Sequence, residues 1–252
     1  RVPKRPVAVV SSSNTLYIAG SITSDTDFGK AGIAGFTTSG AKVMSYDIGA
    51  NCEVCQRFNA ENRIDFLPLT MTVGRGETLY LHHFMRQRVD PNQEIITAVT
   101  RGGEKIWETV LPEDLFIHES NFMLKPDGTL FAVAGNSETL GFNLLEIDPL
   151  TGELRTISLP PSLDELELFC CPPPGFSSGG GEARIKARFA ADGSMFLIAQ
   201  KIEQVFPNLQ SIIRVVAVNE AGVELGSTTF DAPERLFQAA VVPDGNVRLG
   251  GI

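Results

Sequence analysis

The stretch "NTLYIAG" at residues 14–20 decides the fold, because its pattern returns four more times along the 252-residue chain. Each copy is a short apolar run entered from a turn, which is typical of a β-strand that follows a hairpin. When the Leu, Met or Val at the third position is aligned, successive copies lie 63, 51, 65 and 52 residues apart. The later copies are "ETLYLHH" at 77–83, "GTLFAVAG" at 128–135, "GSMFLIAQ" at 193–200 and "GNVRLGGI" at 245–252.

A second apolar run precedes each copy, and a further hairpin follows each of the first four. Three of the preceding runs end in Asp-Gly, which supplies the positive φ angles that a tight hairpin needs. The turns of the following hairpins all carry glycine, at Gly40, Gly103, Gly152 and Gly222. Each repeat unit is therefore predicted to contain four strands.

Repeated units of four short strands, with almost no helix-period segments, predict an all-β chain folded as a β-propeller of four-stranded antiparallel blades. We expect a single partial propeller domain over residues 1–252, with four complete blades and half of a fifth. Half a blade at the end also predicts that the parent chain continues beyond Ile252. A two-sheet sandwich is the alternative, but it does not predict one four-strand unit repeated four times. The predicted blades span residues 5–48, 67–111, 119–160 and 184–230, followed by the incomplete blade 236–252.

The first unit, "LYIAGSITSDTDFGKAGIAGFTTSGAKV" at 16–43, resembles the blades of bacterial secreted propeller-repeat proteins. The segments "RGGEKIWETVLP" at 101–112 and "DPLTGELRTISLP" at 148–160 are similar to blade ends of pyrroloquinoline-quinone-like propellers. The resemblance implies an exported repeat protein. It implies no quinone cofactor, since quinoprotein dehydrogenases carry tryptophan docking motifs in most blades and this chain has only Trp107. The matching positions of the first unit are Gly20, Ser21, Ser24, Phe28, Gly29, Phe36 and Gly40.

Composition narrows the classes of partner. Lys and Arg total 21 against 30 Asp and Glu, and the basic residues are scattered, so nucleic acid is not expected as a ligand. No apolar run approaches the roughly 18 residues that span a bilayer, so no membrane span is predicted. Four cysteines in a β-rich chain favour disulfides and an oxidising compartment, which is extracellular, cell-surface or periplasmic.

The cysteines lie in two predicted blade-to-blade connections that emerge on the same face. Cys52 and Cys55 belong to "NCEVCQ", and Cys170 and Cys171 belong to "ELFCCPPPGFSSGGG". We predict structural disulfides, within each pair or across the two loops, although bonding adjacent cysteines about 3.8 Å apart at Cα would be strained. A four-thiolate zinc site and free or redox-active thiols are the alternatives. The missing His after CxxC excludes c-type haem attachment.

Three histidines occur, and His82 and His83 are adjacent at the end of a predicted strand. Their side chains are therefore expected on opposite faces, as a polar strand end rather than a metal site. Asp25, Asp27 and Gly29 resemble the start of a calcium loop. Its twelve-residue continuation ends in Phe where a bidentate Glu is required, so a solvated turn is expected there.

Acidic side chains also cluster in "PPSLDELELF" at 160–169. Ser162 followed by Glu165 matches a capping box and predicts a short helix. Asp164, Glu165 and Glu167 are then expected to form its solvated face rather than a general acid/base pair.

Without a catalytic signature, metal motif or cofactor motif, we expect a binding or structural module that holds a protein or saccharide ligand on its face loops. The alternative is an enzyme with a site in the propeller channel, quinone-dependent or polysaccharide-active, around Arg188, His118 and Glu119. A second alternative is a segment of a surface fibre or adhesin that assembles through the incomplete blade. The expected working loops are 49–66, 84–94, 160–184 and 201–210.

Overall fold

The computed structural model is nearly all-β and describes most of the chain. The described residues are 5–12, 14–21, 31–53, 65–86, 93–139, 141–164, 182–190, 192–205, 208–219, 221–232, 236–241 and 247–251. They form four four-stranded antiparallel sheets and one two-stranded sheet.

Sheets 1 and 2 come from the first half of the chain. Sheet 1 contains β1 (Arg5–Ser12), β2 (Thr15–Ser21), β3 (Ala31–Thr37) and β4 (Lys42–Asp47). Sheet 2 contains β5 (Asp65–Val73), β6 (Leu79–Arg86), β7 (Gln93–Val99) and β8 (Lys105–Val110).

The remaining strands form sheets 3, 4 and 5. Sheet 3 contains β9 (Leu115–Leu124), β10 (Leu130–Asn136), β11 (Phe142–Ile147) and β12 (Leu154–Ser158). Sheet 4 contains β13 (Glu182–Phe189), β14 (Met195–Val205), β15 (Asn208–Val218) and β16 (Glu224–Ala232), and sheet 5 contains β17 (Leu236–Val241) and β18 (Val247–Gly251).

Every sheet is an up-and-down meander in which each strand pairs with the next strand along the chain. This confirms the predicted all-β class and the predicted four-stranded antiparallel units. The glycines predicted in the third turn of each unit adopt left-handed φ values, from 74° at Gly152 to 87° at Gly103. The number of blades stays a prediction.

Two helices of one turn each follow the outer strands of sheets 1 and 3. Helix α1 (Ile48–Asn51) is capped by Asp47, whose carboxylate accepts a hydrogen bond from the amide of Ala50. Helix α2 (Pro161–Asp164) is the helix expected after the two prolines. The predicted capping box is wrong, because α2 begins at Pro161 and Ser162 is its second residue. Proline suits the first helical position, where an amide proton has no intrahelical partner.

The chain divides into two compact units. Unit 1 comprises residues 1–113 together with 148–153, and unit 2 comprises residues 114–147 and 154–252. In unit 1, apolar residues of sheets 1 and 2 form one core, including Tyr17, Ile33, Tyr46, Leu81 and Met85. In unit 2, sheets 3 and 4 form another, including Phe131, Leu144, Ile185, Leu197 and Val216. The single domain that the sequence predicts stays a prediction.

First strands of successive sheets are in contact inside each unit. β1 lies against β5 in unit 1, and β13 lies against both β9 and β17 in unit 2. The outer strands show no comparable contacts among the described elements. Such convergence of first strands is the local arrangement found in propeller blades.

The two ends of each sheet differ. At the end that we call the turn end, strand 1 joins strand 2 and strand 3 joins strand 4 through tight turns. At the other end, the connection end, strand 2 joins strand 3 and the chain passes from strand 4 to the next sheet. All four expected working loops fall at connection ends. The segment 201–210 is wrong as a loop, because β14 and β15 continue through it and pair as far as Val205 and Asn208.

One turn of unit 1 is fixed by aromatic side chains. Trp107 on β8 is only 8% exposed, and its indole Nε1 donates to the carbonyl of Pro149 over 3.0 Å. The rings of Tyr80 and Trp107 have centroids 5.9 Å apart. Gly152 lies against this pair, and its carbonyl accepts a hydrogen bond from Thr109 at 2.7 Å.

Replacing Gly152 by Ala is expected to destabilise the protein for two separate reasons. Its φ of 74° is strained for an L-residue, and an added Cβ would lie 2.5 Å from atoms of Thr109 and Trp107. Gly40→Ala is the matched control, because Gly40 has a φ of 83° and nothing within 4 Å of an added Cβ. We expect a loss of about 1 kcal/mol for Gly40→Ala and about 3 kcal/mol for Gly152→Ala, measured by urea unfolding. Equal losses of unfolding free energy in the two variants would mean that Trp107 moves away from the added methyl group without a free-energy cost.

Candidate functional site

The described residues place two histidines inside unit 1. His82 and His83 lie in the middle of β6, and both are 0% exposed. His82 Nε2 is 2.9 Å from the Glu94 carboxylate, and His83 Nε2 is 2.9 Å from the Thr97 hydroxyl. Both partners lie on the adjacent strand β7, on opposite faces of the sheet.

This burial corrects the expectation of a polar strand end. The opposite orientation of the two rings was predicted from strand geometry, and the structure agrees. Their burial was not predicted, because it depends on Glu94 and Thr97, which lie 12 and 14 residues further along the chain. These two side chains give the rings polar partners that a core position otherwise lacks.

A comparison of the repeats would have singled out this pair. Counted from the aligned Leu or Met, the positions of His82 and His83 are occupied by Ala19 and Gly20 in sheet 1. In sheet 3 the same positions carry Val133 and Ala134, and in sheet 4 they carry Ile198 and Ala199. Two imidazoles therefore replace small or aliphatic residues at one level of one sheet.

The electrostatics of His83 follow from its burial. Loss of hydration, with a smaller contribution from the neighbouring His82, lowers the pKa of His83 from 6.5 to about 3. The ring is therefore neutral at physiological pH. Its Nδ1 atom has no hydrogen-bond partner among the described residues.

Acidic side chains at the turn ends serve the turns themselves. Asp148 accepts the amide hydrogens of Leu150 and Thr151, and these hydrogen bonds hold its pKa below the ordinary value. Asp192 accepts the amide hydrogen of Ser194, which lowers its pKa in the same way. These carboxylates stabilise their hairpins in the ionised form.

In the middle of the sheets, the first strands carry bulges at one level. In sheet 1 the register shifts between Pro6 and Ala8, which pair with Gly20 and Ala19. In sheet 2 it shifts between Pro68 and Thr70, which pair with His83 and His82. Sheet 5 shows the same shift around Phe237, whereas β13 of sheet 4 pairs without a bulge. The bulges re-aim the backbone of the first strands, a feature that is common beside functional sites.

Sheet 3 has the largest of these bulges. Ile117 pairs with Ala134 and Phe122 pairs with Ala132, so four residues of β9 lie opposite Val133 alone. The single bulged residues elsewhere are the apolar Val7, Leu69 and Phe237, whereas here the sequence is His118-Glu119-Ser120-Asn121. We call residues 118–121 the polar bulge. It contains both residues that the sequence analysis proposed for a channel site.

Carboxylates accompany the polar bulge on the first strands of unit 2. Asp114 precedes β9, and its carboxylate accepts a hydrogen bond of 2.6 Å from the Asn136 amide. Its carbonyl accepts the amide hydrogen of Ser137, seven residues after the aligned Leu130. Glu182 starts β13 and pairs with Ile202, seven residues after the aligned Met195. Asp114 and Glu182 therefore occupy equivalent levels of neighbouring sheets, at the connection end.

Arg188 is placed differently from the polar bulge. It is half-buried on the first strand β13, as expected, but it pairs with Phe196 at the turn end. Its Nη1 donates to the carbonyl of Ala187 over 2.7 Å, and burial lowers its pKa from the usual value. It therefore belongs to a different level from residues 118–121.

Among the cysteines, only Cys52 lies within the described residues. It is 1% exposed, follows helix α1 and is disulfide-bonded. Cys55, Cys170 and Cys171 lie outside the described residues, so the pairing stays a prediction. The residues of the calcium-like turn, Asp25, Asp27 and Gly29, also lie outside the described residues. Of the acidic residues predicted on the short helix, Glu165 and Glu167 lie outside them, and the side chain of Asp164 is not described.

Two structural features are absent from the described residues. No group of three or more His, Cys, Asp or Glu side chains is arranged to hold a metal ion there. None of the helices in that part of the chain is long and apolar enough to cross a membrane.

No known family model and no curated protein matches the chain. Solved structures do match at low identity. An exo-β-1,3-galactanase from Clostridium thermocellum has a TM-score of 0.46 and 11% identity, covering 89% of this chain and 47% of its own. The exo-β-1,3-galactanase of Phanerochaete chrysosporium has a TM-score of 0.48 and 10% identity, covering 90% of this chain and 50% of its own. An endo-arabinase from Bacteroides thetaiotaomicron has a TM-score of 0.47 and 12% identity, covering 99% of this chain and 92% of its own.

The chain thus spans about half the length of the two galactanases that it matches, 47% and 50%. The matches lend no support to the resemblance to quinone-type propellers that the sequence suggests.

Burial of neutral His83 predicts a pH-dependent stability. Its folded pKa of about 3 lies below the unfolded value of 6.5, so the unfolded state binds the proton first as the pH falls. Stability is therefore lost progressively as the pH falls from about 6.5 towards 3. Between pH 7 and 5 this contribution is about 2 kcal/mol.

The measurement is urea unfolding at both pH values for the wild type and for His83→Gln, which keeps a polar side chain but does not titrate. We expect the wild type to lose about 2 kcal/mol more than the variant between pH 7 and 5. Identical losses in the two proteins would assign the pH dependence to other groups.

Proposed function

We propose that this protein is a β-propeller that binds a saccharide along the first strands of unit 2, between the polar bulge and the connection end. The observation that carries this proposal is the polar bulge. At the level where β1, β5 and β17 each carry one apolar residue, β9 carries four polar residues opposite a single residue of β10.

The chemistry of residues 118–121 suits a polyhydroxylated ligand. An imidazole, a carboxylate, a hydroxyl and a carboxamide together supply hydrogen-bond donors and acceptors. Sugar hydroxyl groups need both, because each one donates and accepts. The bulge is also carried by a strand that pairs with β10 and contacts β13, so the ligand would meet a rigid scaffold.

Hydrolysis of a glycosidic bond is the second candidate function. Asp114 directly precedes β9 and Glu182 starts β13, at equivalent levels of neighbouring sheets, and Glu119 lies in the bulge of β9. Glycoside hydrolysis uses a pair of carboxyl groups on either side of the scissile bond, one as acid and the other as base or nucleophile. These three carboxylates supply the residue types for such a pair.

We further propose that the protein is exported. A disulfide at Cys52 is favoured in an extracellular, cell-surface or periplasmic environment, because cytosolic thiols are kept reduced.

Binding is tested by calorimetry with a panel of soluble oligosaccharides, including β-1,3-galactan and arabinan fragments. Glu119→Gln is expected to weaken binding of the positive ligand at least about tenfold, the effect of losing a charged hydrogen bond. Glu153→Gln is the matched control, because Glu153 is exposed in a turn at the opposite end of the same sheet. Wild-type affinity in Glu119→Gln would remove the polar bulge from the site.

Hydrolysis is tested separately by the release of reducing ends from the same panel. If the second candidate is right, Asp114→Asn and Glu182→Gln reduce turnover by at least about a hundredfold while binding persists. Binding without turnover in the wild type would leave the protein a saccharide-binding module.

A further inference from the structure

The outer edge of sheet 4 differs from the outer edges of the other sheets. β16 has nine residues, whereas β4 and β8 have six each and β12 has five. Each of the shorter strands buries at least one side chain, such as Met44, Trp107 or Ile157. Residues 225–231 of β16 are all exposed, including Leu225 at 65% and Phe230 at 37%.

β16 also lacks the residues that protect sheet edges. An outer strand presents unpaired amide and carbonyl groups, and proteins commonly block such edges with Lys, Arg or Pro. Basic residues are present in the other outer strands, as Lys42, Lys105 and Arg155. The sequence of β16, "ELGSTTFDA", has no basic residue and no proline. Among the described strands, β16 pairs only with β15.

We propose that β16 is an interface through which two copies of this chain associate, by antiparallel pairing of β16 with β16 of the second copy. A two-fold axis at Thr228 would continue sheet 4 into an eight-stranded sheet across the dimer. Such an interface is closed, because each copy contributes the same strand and no further edge is opened.

The sequence of β16 is self-complementary in this register. Ser227 lies opposite Thr229, and Thr228 lies opposite itself, which are favourable cross-strand pairs. Gly226 lies opposite Phe230, so the aromatic ring covers the backbone that glycine leaves bare. The regular part of the strand, residues 226–230, contains no charged residue, so no like charges meet in these pairs.

Two features of β16 keep the strand ready for pairing. Residues 226–232 of β16 pair with residues 211–217 of β15 without interruption, and a bulge at Leu225 separates this ladder from Glu224, so the extended conformation of residues 226–232 is set before a partner arrives. The Arg214 guanidinium donates to the Thr229 hydroxyl over 2.9 Å and also to the carbonyl of Ser162 in α2. A preorganised strand loses little conformational entropy on association.

The net charge of −9 on each copy opposes association. Screening by salt reduces repulsion between the copies but acts weakly on backbone hydrogen bonds. The dimer is therefore expected to strengthen from low to physiological ionic strength.

The test is sedimentation equilibrium of the full chain over a wide concentration range. We expect a reversible shift from the chain mass of 27.2 kDa to twice that mass. Thr228→Lys would place two ammonium groups directly opposite each other and is expected to leave only monomer. Thr156→Lys is the matched control, because it introduces the same change at an exposed position of the outer strand β12, and it should dimerise like the wild type.

Hydrogen exchange of the unmodified protein gives a second readout that does not depend on the folding of a variant. Amides of β16 should gain protection as the concentration rises, whereas amides of β8 should not. A wild type that stays monomeric at all concentrations, or a dimer that protects another strand, would overturn the proposal. Persistence of the dimer in a folded Thr228→Lys variant would overturn it as well.

Discussion

A four-stranded sheet with apolar side chains on both faces cannot be stable alone, and this constraint governs the whole chain. The middle strands show it most clearly. All seven residues of β10 are buried, and so are six of the seven in β7. Burial on both faces requires a neighbouring sheet on each side. The cores of units 1 and 2 each cover one face of their sheets by packing two consecutive sheets together. The repeat in the sequence is therefore also the condition for its stability.

Much of the fold was predictable because its signals are local. The Asp-Gly turns and the glycines at 40, 103, 152 and 222 mark hairpins through their own conformational preferences. Other features depend on residues far apart in the sequence. The burial of His82 and His83 depends on Glu94 and Thr97 across a strand pair, and the bulge at 118–121 exists only as a mismatch between β9 and β10. The extension of β14 and β15 was hidden by the polar run "KIEQ" and by Pro207, which favour a loop when considered alone.

The two ends of the sheets have different chemistry. Carboxylates at the turn ends accept backbone amide hydrogens, and this contact keeps them ionised and fixed in place. In unit 2, polar residues lie in the middle of the first strand β9 and at the connection ends of β9 and β13. The candidate site could be located from the sequence only to the extent that His118 and Glu119 were named. That these polar residues replace single apolar residues became apparent only from the strand register, which places Val7, Leu69 and Phe237 at the same level in the other sheets.

Trp107 is the single tryptophan of the chain, and its indole is buried against the turn 148–153 inside unit 1. Tryptophan emission therefore reports on one half of the molecule only, while far-ultraviolet circular dichroism reports on all five sheets. The pair of signals turns an ordinary unfolding experiment into a measure of cooperativity. Coincident transitions would show that the two units fold as one thermodynamic body, and separated transitions would resolve the stability of each.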